Sequence, residues 1–499
     1  MIDIIYHTEH MENRRGHTAV LERRIPTNIR VNDSVTAQIL AESIREAGQI
    51  PYSRFMETSL YGPDGYYNKG KVEFGANNDF TTSPTESELF GASIGQGLWK
   101  TWNAIGKPET FDIVEMGAGE GELAADLLRY AKDLHPDFHE AIRYIIVEYG
   151  RDLIPRQRKR IGNNPKVSWI QGSAFELPVR NITGAFISNE LPDIFPVDLV
   201  TRMNGEVRQK YIGIENNEWV EIWDKPSPEV AQHIESFELN IKDVVLEPIN
   251  ISSARFQKEM DQALERGVIL TIDYGKNHQV GRTTQGVRYF GPKAHRGERY
   301  AEFLYPGEVD ITSDVNFKVL EDVARQDGLV TAYSDTQPGL LDQLGIFDII
   351  DDIRKNLGPN PHLSDVIDAG KVIASAIKIV GSKGFSHNYH AQLLLKGVAR
   401  EAILDSNAKN KTTDEMDERI KKKALFPFRV RDCTSNTVII TSNRGRVNTN
   451  PKDGVIMMYP ENVPSSVIRS ADRNDWSSWD LTNKNVLKMV VEDSGYRID

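Results

Sequence analysis

A short apolar run that leads directly into glycines at every second position constrains the fold of this chain more than any other feature. Residues 111–116 are typical of a buried strand with Glu115 near its end, and Gly117, Gly119 and Gly121 follow. The next segment places apolar residues on one face of a helix, with a period of 3.6 residues. Because only glycine lets the backbone approach a bound ligand this closely, strand, turn and helix together predict a nucleotide-cofactor site.

The spacing of the glycines distinguishes between cofactors. A dinucleotide-binding turn has the order G-x-G-x-x-G, and Glu122 stands where the third glycine would be. Glu120 and Glu122 also oppose a pyrophosphate at the helix N-terminus. The observed pattern, E-x-G-x-G-x-G, is the form used by methyltransferases that bind S-adenosylmethionine (AdoMet), which carries a cationic sulfonium and no phosphate. The alternative is an ordinary α/β turn with a surface glutamate.

Further apolar runs alternate with helical segments along the chain, as in a parallel α/β sheet. The predicted strands are 111–116, 143–148, 167–171, 184–189 and 268–273. The second ends at Glu148, where an acid would hold the two hydroxyls of a ribose. We therefore expect an α/β fold with a Rossmann-like core.

Changes in pattern divide the chain into four predicted parts. Residues 1–34 are a polar extension, and residues 35–110 are a mainly helical segment. Residues 111–384 form the Rossmann-like domain, with an insertion at about 200–250 that contains antiparallel strands. Residues 385–499 are turn-rich and are predicted to be an appended C-terminal α+β module of unknown role.

Composition excludes several classes of protein. The 60 basic and 72 acidic residues give a net charge of −12, which argues against a general nucleic-acid binder. No apolar run is long enough to span a membrane, and the N-terminus lacks the apolar core of a secretory signal. A single cysteine, Cys433, excludes an intrachain disulfide framework and suits a reducing compartment. We expect the cytoplasm, with the mitochondrial matrix as the alternative because the first 30 residues are weakly arginine-rich.

The strongest candidates for catalysis follow the fourth predicted strand. Asn189, Glu190 and Asp193 would lie at the carboxyl end of the sheet, where ligands of open α/β folds bind. Two carboxylates three residues apart are able to grip a guanidinium, to orient an amine or to accept a proton. The alternative is that Glu190 and Asp193 cap the following helix.

Two further polar segments are candidates for binding the substrate. Asp79, Thr82 and Ser83 lie in a stretch that is too polar for the core, and Asp273 and Tyr274 follow the fifth strand. For both segments an ordinary turn is the alternative. The histidines lack the spacing of metal ligands, so we predict no metal site.

Several blocks of sequence, in a fixed order, resemble the MidA family, which includes the mitochondrial complex I assembly-factor methyltransferases and their bacterial relatives. The blocks cover roughly residues 35–380, at 65–67, 79–84, 89–91, 114–121, 147–148, 156–157, 189–197, 272–275, 306–312 and 336–337. The resemblance implies an AdoMet methyltransferase with an added substrate-covering domain. In the mitochondrial members it implies dimethylation of protein arginine.

This chain departs from the family pattern around the predicted site. Ala118 and Glu120 replace residues of the usual G-P-G-R-G, Thr85 replaces a glutamate, and Pro192 stiffens the segment between the two acids. These departures bear more on which acceptor is methylated than on which cofactor is bound.

On this resemblance the predicted cofactor-binding residues are Glu115, Gly117, Ala118, Gly119, Gly121, Glu148, Ser173, Ala174 and Asn189. Ser173 and Ala174 would flank the adenine. The leading hypothesis is an AdoMet-dependent enzyme that methylates an arginine of a protein or peptide. The alternatives are N- or O-methylation of a small molecule or modified peptide, and a non-catalytic assembly factor that retains the fold. A homodimer is one option for the assembly.

Overall fold

The computed structural model describes residues 29–70, 82–243, 245–277, 287–291, 300–357, 363–381, 388–404 and 413–423, together with four short strands near the C-terminus. Within these ranges no helix combines the length and the apolar composition needed to cross a membrane.

The strands of the described residues are, in chain order, β1 (Ile50–Pro51), β2 (Phe111–Met116), β3 (Ile142–Glu148), β4 (Val167–Gln171), β5 (Ile182–Asn189), β6 (Asp198–Met203), β7 (Glu206–Glu215), β8 (Glu218–Asp224), β9 (Glu247–Ile249), β10 (Leu264–Lys276), β11 (Arg288–Phe290), β12 (Asp310–Thr312), β13 (Val315–Asn316), β14 (Val330–Thr336), β15 (Tyr389–Lys396), β16 (Phe428–Val430), β17 (Ile440–Ser442), β18 (Asn448–Thr449) and β19 (Ile456–Met457).

The α-helices are α1 (Val35–Ala47), α2 (Tyr52–Tyr61), α3 (Ser83–Glu86), α4 (Glu88–Ala104), α5 (Glu122–Leu134), α6 (Pro136–Ala141), α7 (Leu153–Ile161), α8 (Pro228–Ser236), α9 (Ile251–Ala263), α10 (Ala301–Leu304), α11 (Phe317–Gln326), α12 (Gln337–Leu344), α13 (Ile346–Asn356), α14 (Leu363–Val380) and α15 (Thr413–Lys423).

The main sheet has the order β14-β15-β10-β5-β2-β3-β4. The five strands from β10 to β4 are parallel, and they include every strand predicted for the parallel sheet. Strand β2 is buried along its whole length, with Ile113 packed in the core of one sheet face and Val114 and Met116 in the core of the other. The predicted α/β, Rossmann-like fold is confirmed. Its strands were recognisable in the sequence because a strand that is buried on both faces of a parallel sheet is a nearly continuous run of apolar residues.

The predicted boundary at residue 385 is wrong. Strand β15 lies inside the main sheet, where it pairs antiparallel with β10 on one side and with β14 on the other. Its residues are buried from Tyr389 to Leu395. A strand that joins a sheet from far along the chain has no local sequence pattern that reveals its partner strands. The change in composition near residue 385 therefore indicated a domain boundary that the structure does not have. Beyond it, β16 pairs with β17 and β18 with β19.

A second, antiparallel sheet has the order β1-β7-β6-β9, with β8 beside β7. We call this sheet, together with α1, α2 and residues 62–70, 287–291 and 300–312, the cap. Its core joins Phe55 of α2, Trp219 of β8 and Phe303 of α10, whose rings lie 4.9–6.1 Å apart. The antiparallel strands predicted at about 200–250 belong to it.

The predicted N-terminal segment, residues 35–110, is not a single unit. Helices α1 and α2 pack in the core of the cap, whereas α4 packs against α5 and the main sheet. Helices of one stretch separate in this way because their apolar faces are buried by partners that lie far away in the sequence.

Candidate active site

A cavity of about 590 Å³ lies between the cap and the carboxyl ends of the parallel strands. Most of the predicted site residues line it, namely Thr82, Glu115, Gly117, Ala118, Gly119, Glu148, Ser173, Ala174, Asn189, Glu190, Asp193 and Tyr274. This is the edge of an α/β sheet at which ligands bind, since the strands end there and the loops that follow them converge.

The glycine turn forms one wall of the cavity. Gly117 and Gly119 have φ values of +68° and +53°, which L-residues with a side chain rarely adopt. A Cβ atom built on Gly117 would come within 2.9 Å of Leu191. The turn is therefore kept bare on its cavity side, as close approach of a cofactor to the backbone requires.

Gly121 does not line the cavity, which corrects its predicted role in contacting the cofactor. It is the residue before helix α5, with φ +87°, and a Cβ atom there would lie 3.2 Å from Ile161 and 3.4 Å from Gln157. Its conformation and the packing of α7 require a glycine, so it shapes the turn from behind.

Glu148 at the end of β3 is buried and fully oriented. The backbone N–H of Gly150 donates to Oε1 and the side-chain amide of Gln157 donates to Oε2, both at 2.9 Å. Gln157 Nε2 also donates to the carbonyl of Gly119 at 2.9 Å, which ties Glu148 to the glycine turn. Each carboxylate oxygen retains a second lone pair, so Glu148 is able to accept hydroxyl donors from the cavity. Burial raises the pKa of Glu148.

Gln157 belongs to one of the sequence blocks but was not predicted as a site residue. A glutamine on a charged helix looks solvent-exposed in the sequence, and only its full burial between β3 and the turn shows its role.

Glu115 lies at the same end of the cavity. The Tyr144 hydroxyl donates to Glu115 Oε2 at 2.7 Å, and burial raises the pKa of Glu115 to about 7. This carboxyl therefore gains or loses its charge close to neutral pH.

The two acids of the turn are ion-paired, which weakens one of the arguments made from sequence. Glu120 lies 3.1 Å from Arg156 and 3.5 Å from Arg160, and Glu122 lies 2.9 Å from Arg160. Because these arginines offset the negative charge, the charge of the turn excludes a pyrophosphate less firmly than expected. The glycine spacing remains the stronger argument.

Glu190 lies at the other end of the cavity, directly after β5. Its φ of +52° is unusual for a residue with a side chain and costs about 1–3 kcal/mol. Asn189 Nδ2 donates to Oε1 at 3.1 Å, and the Tyr389 hydroxyl donates to Oε2 at 2.7 Å. Burial raises the pKa of Glu190 to about 8. The residue that precedes the following 3-10 turn is Leu191, so Glu190 does not cap that turn and the capping alternative is wrong for this residue.

Asp193 is the second acid at this end, in a short 3-10 turn. Among the residues that the structure describes, no group donates a hydrogen bond to its buried Oδ1 atom. Burial raises the pKa of Asp193 to about 7, against the opposing effect of nearby Arg288. A buried carboxylate oxygen without a donor is costly for the free protein, and this is what an arriving cation would relieve.

Asp273 was predicted to contact the substrate, and the structure places it elsewhere. It is fully buried behind the cavity wall, where it accepts the backbone N–H of Asp193 at 3.1 Å and that of Tyr274 at 2.6 Å. Its side chain is occupied by these two bonds, so it fixes the neighbours that face the cavity.

Of the polar residues predicted at 79–83, the structure describes Thr82 and Ser83, and of these two Thr82 lines the cavity. Ser83 is fully buried and donates through Oγ to Gln337 Oε1 at 2.9 Å, so its side chain holds α3 against α12. Asp79 lies outside the described residues.

Several cavity residues were not predicted, and those on the cap side include Tyr61, Tyr67 and Asp310. Tyr67 donates to Asp310 Oδ1 at 3.0 Å, and its ring stacks on that of Tyr61 with centroids 5.7 Å apart. The Tyr61 ring also meets Tyr149 edge-on at 5.8 Å. Tyr67 and Asp310 belong to the sequence blocks, but only the folded cap brings them together at the cavity.

Within the described ranges, no three His, Cys, Asp or Glu residues are grouped so as to hold a metal ion.

Comparisons with known proteins agree with this geometry. Residues 93–334 match the family model for S-adenosyl-L-methionine-dependent methyltransferases. The chain is 26% identical to Protein arginine methyltransferase NDUFAF7, mitochondrial, of Danio rerio over 350 residues, which cover 63% of this chain and 78% of the relative. It is 23% identical to the homologue of that protein in Drosophila melanogaster over 334 residues, or 61% of this chain and 73% of the relative.

A solved structure extends the agreement to three dimensions. A COG1565 superfamily member from Burkholderia thailandensis, crystallised with bound S-adenosyl-homocysteine, has a TM-score of 0.63 and 26% sequence identity to this chain. The match covers 76% of this chain and 96% of that protein.

The parallel sheet, the bare glycine turn and the matching family model define this chain as an AdoMet-dependent methyltransferase, and AdoMet is its cofactor. Within this class, the family model, the relatives and the solved structure support a MidA-type family for this chain, as the ordered sequence blocks predicted.

Proposed function

We propose that the enzyme transfers a methyl group to an arginine side chain of a protein or peptide. The observation that carries this proposal is the acceptor end of the cavity, where buried Asp193 leaves Oδ1 without a donor among the described residues and Glu190 lies beside it. Paired carboxylates between aromatic walls suit a planar cation. The relatives from Danio rerio and Drosophila melanogaster are named protein arginine methyltransferases, which supports the same acceptor.

The residues of the opposite end are assigned to the cofactor. Gly117, Ala118 and Gly119 would line its methionine part and Glu148 would hold the ribose hydroxyls, with Ser173 and Ala174 beside the adenine. When bound, AdoMet supplies an electrophilic methyl group whose transfer leaves the S–C bonding pair on sulfur.

The acceptor residues handle charge and protons. A guanidinium is charged at all working pH values, so its nitrogen must lose a proton as the new N–C bond forms. In this proposal Asp193 holds the cation, and Glu190 accepts that proton as a general base. A bound cation also favours the ionised form of Glu190, which counteracts the effect of burial on its pKa.

Product analysis tests the acceptor. The purified protein is incubated with AdoMet carrying an isotopically labelled methyl group and with arginine-containing peptides, alongside peptides in which lysine replaces arginine. Fragment mass spectra should place the label on the guanidino group. A label on oxygen, on lysine or on a small molecule would refute the arginine assignment and favour one of the other acceptors considered above. Failure to bind AdoMet in calorimetry would favour a non-catalytic assembly role.

The cellular location and assembly are separate proposals. The cited relatives are named mitochondrial, which supports the mitochondrial matrix over the cytoplasm expected from composition. Fractionation of the source cells, followed by immunodetection, decides between the two. Light scattering of the purified chain tests whether it forms a homodimer, and the same sample tests the expectation that it binds neither nucleic acid nor membrane.

A further inference from the structure

A line of hydroxyl groups joins the main sheet to the acceptor end of the cavity. Tyr389 of β15 donates to Glu190 Oε2 at 2.7 Å, and its oxygen lies 2.5 Å from the Tyr274 hydroxyl. The two rings pack with centroids 4.3 Å apart. Tyr274 and Glu190 line the cavity, whereas Tyr389 is buried behind them and does not.

The placement of Tyr389 is set by the sheet. Its Cα atom pairs with that of Tyr274 in the antiparallel register of β10 and β15, so neighbouring strands fix the two hydroxyls relative to each other. Glu190 needs such support because its own backbone is strained, with φ in the left-handed region, and its side chain extends from that backbone. A rigid tyrosine hydroxyl holds the carboxylate more firmly than water would.

We infer that Tyr389 is a positioning residue for methyl transfer, which orients the Glu190 carboxylate toward the acceptor and keeps it able to accept a proton. The inference rests on the proposed role of Glu190 as the base. It assigns a function to β15, which lies in the region that the sequence assigned to a separate module.

The charges around Glu190 determine the direction of the expected effect. Asp193 in the following turn raises the pKa of Glu190 as a like charge, and the charges of Asp193 and Glu190 raise that of Asp273 on β10. The Tyr389 hydroxyl and Asn189 act in the opposite direction, because hydrogen bonds to the carboxylate favour its ionised form. The cation Arg288 lies 4.9 Å over the ring of Tyr274. Removing the Tyr389 hydroxyl should therefore raise the pKa of Glu190.

The test compares Tyr389→Phe with Tyr333→Phe in the full-length protein. Tyr333 is a matched control on the adjacent strand β14, where its hydroxyl donates to the Thr336 carbonyl at 2.8 Å, away from the cavity. For Tyr389→Phe we expect unchanged AdoMet affinity and a fall in kcat at pH 7.5 of about tenfold, the size of one lost hydrogen bond to a charged group. The acidic limb of the kcat–pH profile should move to higher pH. Tyr333→Phe should behave as the wild type.

A second measurement does not depend on turnover. Infrared titration follows the protonated carboxyl band that disappears in Glu190→Gln, and this band should titrate at higher pH in Tyr389→Phe than in the wild type. An unmoved band would overturn the inference even if arginine is the acceptor. A band that moves while arginine peptides stay unmethylated would refute the proposed acceptor and leave the positioning role intact. Equal shifts in both tyrosine variants would show a general effect on the sheet and overturn the inference.

Discussion

The two ends of the cavity are built in contrasting ways. At the cofactor end, the glycine turn and Glu148 come from two adjacent βα units, and both oxygens of Glu148 accept hydrogen bonds. At the acceptor end, residues from β5, β10, β15 and the cap converge, Glu190 has a strained backbone and Asp193 leaves Oδ1 without a donor in the described part of the chain.

This difference indicates how the free energy of folding is distributed between the two ends. The cofactor end is satisfied without a ligand, so it is preorganised for one cofactor. Buried acids with raised pKa values occur at both ends, but at the acceptor end Asp193 also leaves Oδ1 without a donor among the described residues, which destabilises the free protein and favours a cationic ligand. At the acceptor end, the features that favour a ligand therefore destabilise the free protein. At the cofactor end, the arrangement that would bind the ligand also stabilises the free protein.

The largest expected effect comes from Glu190→Gln. This change keeps the shape of the side chain and removes the base, so kcat should fall by about 10²–10⁴-fold, the usual contribution of general-base catalysis. AdoMet affinity, measured by calorimetry, should change by less than about threefold, since the residue belongs to the acceptor end. A comparable loss of affinity and kcat would show that the two ends are not separate.

Glu148→Ala should produce the reverse pattern. Removing the predicted acceptor of the ribose hydroxyls should weaken AdoMet binding by about 10–100-fold, as expected for hydrogen bonds to a charged group. At saturating cofactor, kcat should recover to near the wild-type value. If kcat stays low at saturation while affinity is unchanged, Glu148 does not hold the cofactor.

Asp193→Asn tests the opposition between stability and function. The pKa of Asp193 is raised to about 7 in the folded protein, so between about pH 4 and 7 the folded state binds more protons than the unfolded state. The free energy of unfolding therefore falls as pH rises through this window. The variant should lose this slope and gain about 1–3 kcal/mol at pH 8, measured by urea denaturation.

The matched variant for that experiment is Glu148→Gln. Its new amide would face the donors Gly150 N–H and Gln157 Nε2, so this substitution should lower stability at pH 8. If Asp193→Asn and Glu148→Gln changed the free energy of unfolding in the same direction, the contrast between the two ends would be contradicted.

The smallest expected effect is that of Gln157→Met. The change retains the volume and removes the amide that links Glu148 to the glycine turn, so AdoMet affinity should fall by about 3–10-fold. Arg158→Met on the same helix is the control, because Arg158 lies over Trp169 and outside the cavity lining. Equal losses in both variants would indicate a general effect on α7.

Prediction from sequence succeeded where the determinants are local. The strands of the parallel sheet were found because a strand buried on both faces is apolar throughout, and the glycine turn was found because its backbone conformation restricts the residue type. The prediction for Asp273 failed because its type and position at a strand end match those of a ligand-binding acid. Only its hydrogen bonds to Asp193 and Tyr274 show that it supports the wall.

By itself, the sequence determined the parallel core, the cofactor and the pair of acids after β5, since each is encoded within a few neighbouring residues. The tertiary structure alone decided which groups surround those acids. Tyr67 and Asp310 reach the cavity through the packing of the cap, and the register of β15 places Tyr389 behind Glu190. Burial, which raises the pKa values of Glu190 and Asp193, is a property of these distant contacts, so no local pattern in the sequence specifies it.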